Sequence, residues 1–111
     1  MGVTGTNHVR IAGVLKEREA LRMTPARIPV LQFRLQHEST QVELDVERKT
    51  SCEVGALAMG PLAQQLAAMP MGVAMVVEGF LAARSAKNQN PVLHVQKFEL
   101  LDSSPKLEGT T

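Results

Sequence analysis

Arg84 and Lys87 stand in a connector, residues 83–91, that contains no acid and ends in an Asn- and Pro-rich tip. Such a tip favours turns. The connector lies between two apolar runs, residues 72–81 and 92–101, which read as buried strands. A hairpin of this kind holds a cationic arm over a polyanion, and phosphate oxygens are what two neighbouring cations without a counter-charge would meet. Read alone, the same two residues also suit a solvated loop. Chemistry of other kinds is poorly served. No nucleophile elbow, Gly-rich phosphate loop or His-rich metal spacing occurs, and Glu43 and Asp45 share a strand face as carboxylates do on any solvated strand. No enzyme, cofactor or metal is expected.

The elements that must position these cations fit one domain. The chain has 111 residues, 44% of them hydrophobic, and a net charge of +1. That length is typical of a single domain, and the charge makes the chain as a whole no basic nucleic-acid binder, so any electrostatic site depends on how the cations are placed. No apolar run is long enough for a membrane span, and the first residues lack the charged leader and apolar block of an export signal. The lone Cys52 forms no intrachain disulfide, which suits a reducing cytoplasm.

Along the chain, residues 1–6 are expected to be flexible. From Asn7 a strand begins, with Val9, Ile11, Gly13 and Leu15 on one face and Gly13 marking a bulge or bend. Residues 16–24 are charged and irregular, with Glu17 and Glu19 partly offsetting Lys16, Arg18 and Arg22. A Pro25–Pro29 connector leads to a second strand over 30–37, with Gln32, Arg34, Gln36 and Glu38 on its outer face. Residues 39–41 read as a turn. A third strand over 42–54 places Val42, Leu44, Val46, Thr50, Cys52 and Val54 inward and an acidic row, Glu43, Asp45, Glu47 and Glu53, outward. Arg48 falls in the inward phase, which implies a bulge, an acidic partner or a subunit contact. Lys49 points outward between acids, where it suits a cross-strand ion pair or DNA. Leu57, Leu62, Leu66 and Met69 within 55–69 are spaced for a short helix with Pro61 in its first turn. The Ser-, Pro- and Gly-rich residues 103–111 read as a tail, which bounds the domain at 7–102. Three strands, a short helix and two strands are the order of the OB-fold, an all-β five-stranded Greek-key barrel with a helix between strands 3 and 4.

Several stretches, in order, are similar to a known family: Thr6-Asn7, Gly13, Pro25-x-x-Ile28-Pro29 running into Gln32-Phe33-x-Leu35-x-His37, Cys52, Gly79-Phe80, Ala86-Lys87-Asn88, and Val92-Leu93-His94 closing on Glu99 to Ser103. The chain resembles primosomal replication protein N, the PriB family, over about residues 6–103. The resemblance implies an OB-fold homodimer that binds single-stranded DNA in the restart of stalled forks. It implies the primosomal restart helicase and the general single-strand binding protein as partners. Arg22 stands where the family has a DNA-contacting cation, and Lys87 keeps a loop lysine with Arg84 near it. The enterobacterial type has Arg where this chain has Glu38, Trp where it has Ser51 and Phe where it has Val46. Arg34, on the same strand face as Glu38, would restore a cation.

With no Trp, no Tyr and only Phe33, Phe80 and Phe98, each of the first two read as core, stacking is expected to be minor and phosphate contact to dominate. The candidate nucleic-acid contacts are Arg22, Arg34, Arg48, Lys49, Arg84 and Lys87. His37 and His94, among apolar rows, read as hydrogen-bonded core or interface residues. The competing reading is a protein-interaction module that docks the helicase through Glu43, Asp45 and Glu47, with weak DNA binding or none. A general single-strand binding protein fits less well, since such proteins usually carry stacking aromatics and an acidic tail ending in aromatic residues.

Overall fold

The computed structural model describes residues 5–101. The expected tail 103–111 and most of the expected flexible N-terminus lie outside the described residues. Six strands and one helix form in the order β1 (Val9–Arg18), β2 (Arg22–Met23), β3 (Pro29–Glu43), β4 (Val46–Met59), α1 (Pro61–Ala67), β5 (Ala74–Ala83) and β6 (Pro91–Leu100). The sheet runs β1-β5-β6-β4-β3, and β1 pairs with β3 as well, which closes five strands into the OB-fold barrel. All barrel pairings are antiparallel except β4 with β6. The short β2 adds a sixth strand on β3 within the segment expected to be irregular. Among the described residues no helix is long and apolar enough to cross a membrane.

Closure is achieved within β1 itself. Residues 9–14 pair with β5 and residues 14–18 with β3. Gly13 lies where the strand changes partner, and a Cβ there would stand 3.0 Å from Leu35 Cβ and 3.1 Å from the Gln36 carbonyl. The bulge comes three residues later than Gly13 suggested. Leu15 pairs with Leu35 and Glu17 with Arg34, leaving Lys16 as the extra residue. A bulge bends the strand and tightens its twist. A second bulge, between Glu78 and Gly79, leaves Gln96 of β6 unpaired. It shifts the inward phase of β6 from Leu93 and Val95 to Phe98, so all three pack with the core. The core unites Leu15, Leu31, Phe33, Leu35, Met75, Val77 and Leu93 with Ala63 and Leu66 of α1, which plugs one end.

Several expectations are corrected. The turn is at Leu44–Asp45 rather than 39–41: β3 and β4 pair continuously from Val30↔Met59 out to Glu43↔Val46, and both turn residues have positive φ, the geometry of a two-residue hairpin of the primed type. The expected inner row of the third strand fails from Val42 to Cys52, because residues 40–53 are exposed on both faces, whereas Val54 packs against the core. Leu44, at the tip, is 90% exposed. Residues 55–59 extend β4 instead of opening the helix. Ala56 and Ala58 are buried there and the ladder with β3 continues, which outweighs the leucine spacing. Pro61 does open the helix, after Gly60 at φ 75.

Phe80 is not core. It lies half-buried on the outer face of β5 and stacks on His94 at 5.1 Å between ring centres. Phe33 is buried as expected. His37 fulfils its reading: Nδ1 meets the Ala12 carbonyl at 2.7 Å and Nε2 the Ser39 hydroxyl at 2.8 Å. Asn7 extends the β1–β5 ladder with its side chain, donating from Nδ2 to the Leu81 carbonyl and accepting the Leu81 N–H at Oδ1, both at 2.9 Å.

At Gly79 any Cβ would lie 1.8 Å from the His94 carbonyl oxygen and 3.1 Å from Val95 Cα. Neither backbone atom can yield without breaking the ladder. Gly79→Ala should destabilise the fold by about 3 kcal/mol, the upper end of the usual cost of overpacking. Urea melts that leave the midpoint unmoved would contradict this close approach.

Candidate nucleic-acid interface

The bulge at Lys16 sets up the site. Alternation alone would point Glu17 inward; the extra residue turns both Lys16 and Glu17 outward and sends Arg18 toward α1. Arg18 Nη1 donates to the carbonyls of Leu66 and Met69 at 3.0 and 2.5 Å. Both oxygens lie at the helix C-terminus, where a cation suits the helix dipole, and the Leu66 carbonyl also accepts the Met69 N–H at 3.2 Å. Arg18 is thereby a structural cation, and Lys16 is left to face solvent.

A cleft of about 590 Å³ lies over this part of the barrel wall, lined by Lys16, Glu17, Gln32, Arg34, Gly55 and Arg84 among others. Across it the register puts Glu17, Arg34 and Gly55 in line, and Arg84 continues the row: its Nη2 would be 3.4 Å from a Cβ on Gly55. The guanidinium therefore lies at ordinary contact distance over Gly55 of β4. Residues 84–90 form a tight loop tied by its own hydrogen bonds. The Ser85 hydroxyl accepts from the Asn88 N–H, and Asn88 Oδ1 accepts from the Asn90 N–H, both at 3.0 Å. Lys87 is exposed within this loop.

Acids occupy part of this positive set. Arg34 Nε lies 3.4 Å from Glu17 Oε1, and Arg34 Nη1 lies 3.4 Å from Glu53 Oε1. Glu53 also accepts from Lys16 Nζ. The Lys16 hydrogen bond and charge, with lesser help from Arg34, hold the Glu53 carboxyl below its ordinary value of 4.5 against an opposing effect of desolvation. On the projecting hairpin Arg48 Nε meets Glu43 Oε1 at 2.7 Å. This selects the acidic partner among the three readings of Arg48 and removes it from the inward phase. Arg22, Arg27, Lys49, Arg84 and Lys87 have no carboxylate within 4 Å among the described residues. Lys49 lines a groove with Glu38, Ser39, Thr40, Thr50 and Ser51.

A family model described as "Another single-strand binding protein family" matches residues 7–97. The replication restart protein PriB of Bordetella pertussis is 37% identical over 98 residues, which cover 88% of this chain and 92% of that protein. The replication restart protein PriB of Klebsiella pneumoniae is 32% identical over 101 residues, covering 88% and 97%. This chain belongs to the PriB family. A solved structure of PriB from Ralstonia solanacearum superposes with a TM-score of 0.77 at 27% identity, covering 87% of this chain and all of that one. The single-stranded DNA-binding protein of Thermus aquaticus shares the fold, at a TM-score of 0.72, 20% identity and 52% of its own length. The family is one of binding proteins, and this member is no enzyme.

Of the six cations singled out in the sequence, Arg34 and Arg84 meet at the cleft in this PriB-family barrel. Lys87 lies in the loop beyond Arg84, Arg22 on β2, and Arg48 and Lys49 on the projecting hairpin. Lys16, Glu17 and Glu53 were not singled out as a unit. The Lys16–Glu53 contact spans 37 positions, and no local pattern joins them. The PriB-family cleft is lined by no exposed aromatic ring among the described residues.

The depressed Glu53 carboxyl has a pH signature. Its contribution to the folded state is present above the ordinary carboxylate value and is lost as pH falls through the lowered one. Thermal midpoints of wild type should fall as pH drops below the ordinary carboxylate value of 4.5, and those of Glu53→Gln should fall less steeply over the same range. Parallel acid melting curves for the two proteins would remove Glu53 from this role.

Proposed function

We propose that this chain is a single-stranded DNA-binding accessory protein of replication restart, acting as a cytoplasmic homodimer alongside a restart helicase and a general single-strand binding protein. The observation that carries the reading is Arg84 laid across Gly55 beside the cleft, continuous with the acid-free loop that holds Lys87, on a barrel of the PriB family. A strand crossing the cleft would meet Arg84 and Lys87 on one side and Arg34 on the other, with Arg22 and Lys49 extending the path. Stacking contributes little, because Phe33 is buried and Phe80 is already stacked on His94. Binding through phosphates alone is salt-sensitive and indifferent to base sequence.

Dimerisation is supported by apolar side chains left in water around β1, β5 and β6: Val14, Leu81, Leu100 and Leu101. Sedimentation at micromolar concentration should give twice the chain mass. A monomer under those conditions contradicts this part of the reading.

The decisive measurement is fluorescence anisotropy of end-labelled oligo-dT titrated with protein across a salt series. Four to six phosphate contacts would give a log–log slope of about −3 to −4. Arg84→Ala with Lys87→Ala should weaken binding about ten-fold and flatten the slope by ~1.4. No binding even at low salt would overturn the reading and favour a docking role for the barrel surface.

A further inference from the structure

We propose that Glu53, assisted by Glu17, is a built-in competitor of the nucleic-acid phosphate: its carboxylate occupies Lys16 and Arg34 in the cleft and must be displaced before a strand can use them. The inference rests on the DNA-binding reading above and concerns how that same surface is held in check.

The geometry is that of an occupied anion site. The two oxygens of Glu53 are divided between two cations, Oε2 toward Lys16 and Oε1 toward Arg34 at 3.4 Å. The guanidinium of Arg34 is divided in turn, with Nη1 toward Glu53 and Nε toward Glu17. A guanidinium offers its paired N–H groups to carboxylate and phosphate alike, so the two acids take the positions a phosphate would take. The four residues come from three strands, Lys16 and Glu17 from β1, Arg34 from β3 and Glu53 from β4. The bulge at Lys16 is what brings the first two to the same side.

Exposure argues that this cluster is exchangeable rather than structural. The side chains of Lys16, Glu17, Arg34 and Glu53 are 46, 66, 50 and 38% exposed. Exposed pairs of this kind are weakly held and screened by salt. Arg18, by contrast, is committed to the end of α1, and Arg84 faces the same cleft with no carboxylate within 4 Å among the described residues. The cleft therefore has one cation open to phosphate at all times and two that become so only when carboxylates let go.

Removing the competitor should strengthen binding and increase the number of phosphates engaged. With labelled oligo-dT and the full chain, Glu53→Gln should bind about three- to ten-fold tighter at low salt than wild type. Its log–log salt slope should be steeper by ~1.4, two further phosphates at ~0.7 each. Glu17→Gln, which releases only one edge of Arg34, should give a smaller gain and provides a second variant if Glu53→Gln does not fold. In the Glu53→Gln background, Lys16→Met should abolish part of the gain, whereas in wild type the same change should cost little, a coupling that a double-mutant cycle reads directly.

If wild type binds and both glutamine variants, shown folded by their melting curves, bind no tighter with an unchanged slope, the competitor is overturned while the DNA-binding reading stands. Binding by Glu53→Gln where wild type has none supports the competitor in its strongest form. Absence of binding by every variant overturns both.

Discussion

One extra residue in one strand is what the rest of this molecule depends on. A five-stranded sheet closes only if a strand can pair on both of its edges, and β1 does so by serving β5 with its first half and β3 with its second. The bulge at Lys16 follows inside the half paired with β3 and bends the strand there without carrying a charge into the core. The same residue count decides three side chains: Lys16 and Glu17 turn outward to the cleft, and Arg18 turns to the carbonyls that end α1. Helix docking and the polarity of the cleft are thus consequences of a single local irregularity. Deleting one residue between Leu15 and Arg18 would disturb both together.

The parts of this architecture that were legible in the sequence were those written in local pattern. The strands flanking the basic loop have apolar runs long enough to be unambiguous, and Pro61 marks the first turn of α1. The turn of the long hairpin was hidden, because Leu44 and Asp45 take left-handed conformations without the Asn or Gly that announces them, while Ser39, Thr40 and Gln41 imitate a turn by composition. Residues 55–59 were misread for a different reason. Leu57 fits a helical spacing with Leu62 and Leu66, yet β4 is held by neighbours on both edges, β3 and β6, and tertiary pairing overrides so weak a local signal. At the site, Arg84 and Lys87 were visible because they stand apart from acids along the chain. The pairing of Lys16 and Arg34 with Glu53 was invisible because it is made across the barrel wall.

A near-neutral chain that handles a polyanion must separate its charges in space, and this one does so unevenly. The outer face of β1 and β5 is self-neutralising, with Glu78 drawing on Arg10, Lys97 and His8. The cleft is partly neutralised by Glu17 and Glu53, and the loop after β5 carries no acid at all. The field is therefore graded rather than uniform, weakest where the barrel surface is broadest and most positive at Arg84 and Lys87. A gradient of that form draws a charged strand toward one edge of the molecule before close contact begins.

The projecting part of the β3–β4 hairpin stands apart from all of this. From residue 40 to residue 49 every side chain is exposed and the strands pair only with each other, so the arm is held by its own ladder and turn and contributes almost nothing to the core. Its opening is a local event, governed by far less free energy than unfolding of the barrel. Substitutions there escape the penalty that guards Leu31, Phe33 or Leu93. Its acids and aliphatic tip can therefore change what the arm presents to solvent while the barrel core stays as it is.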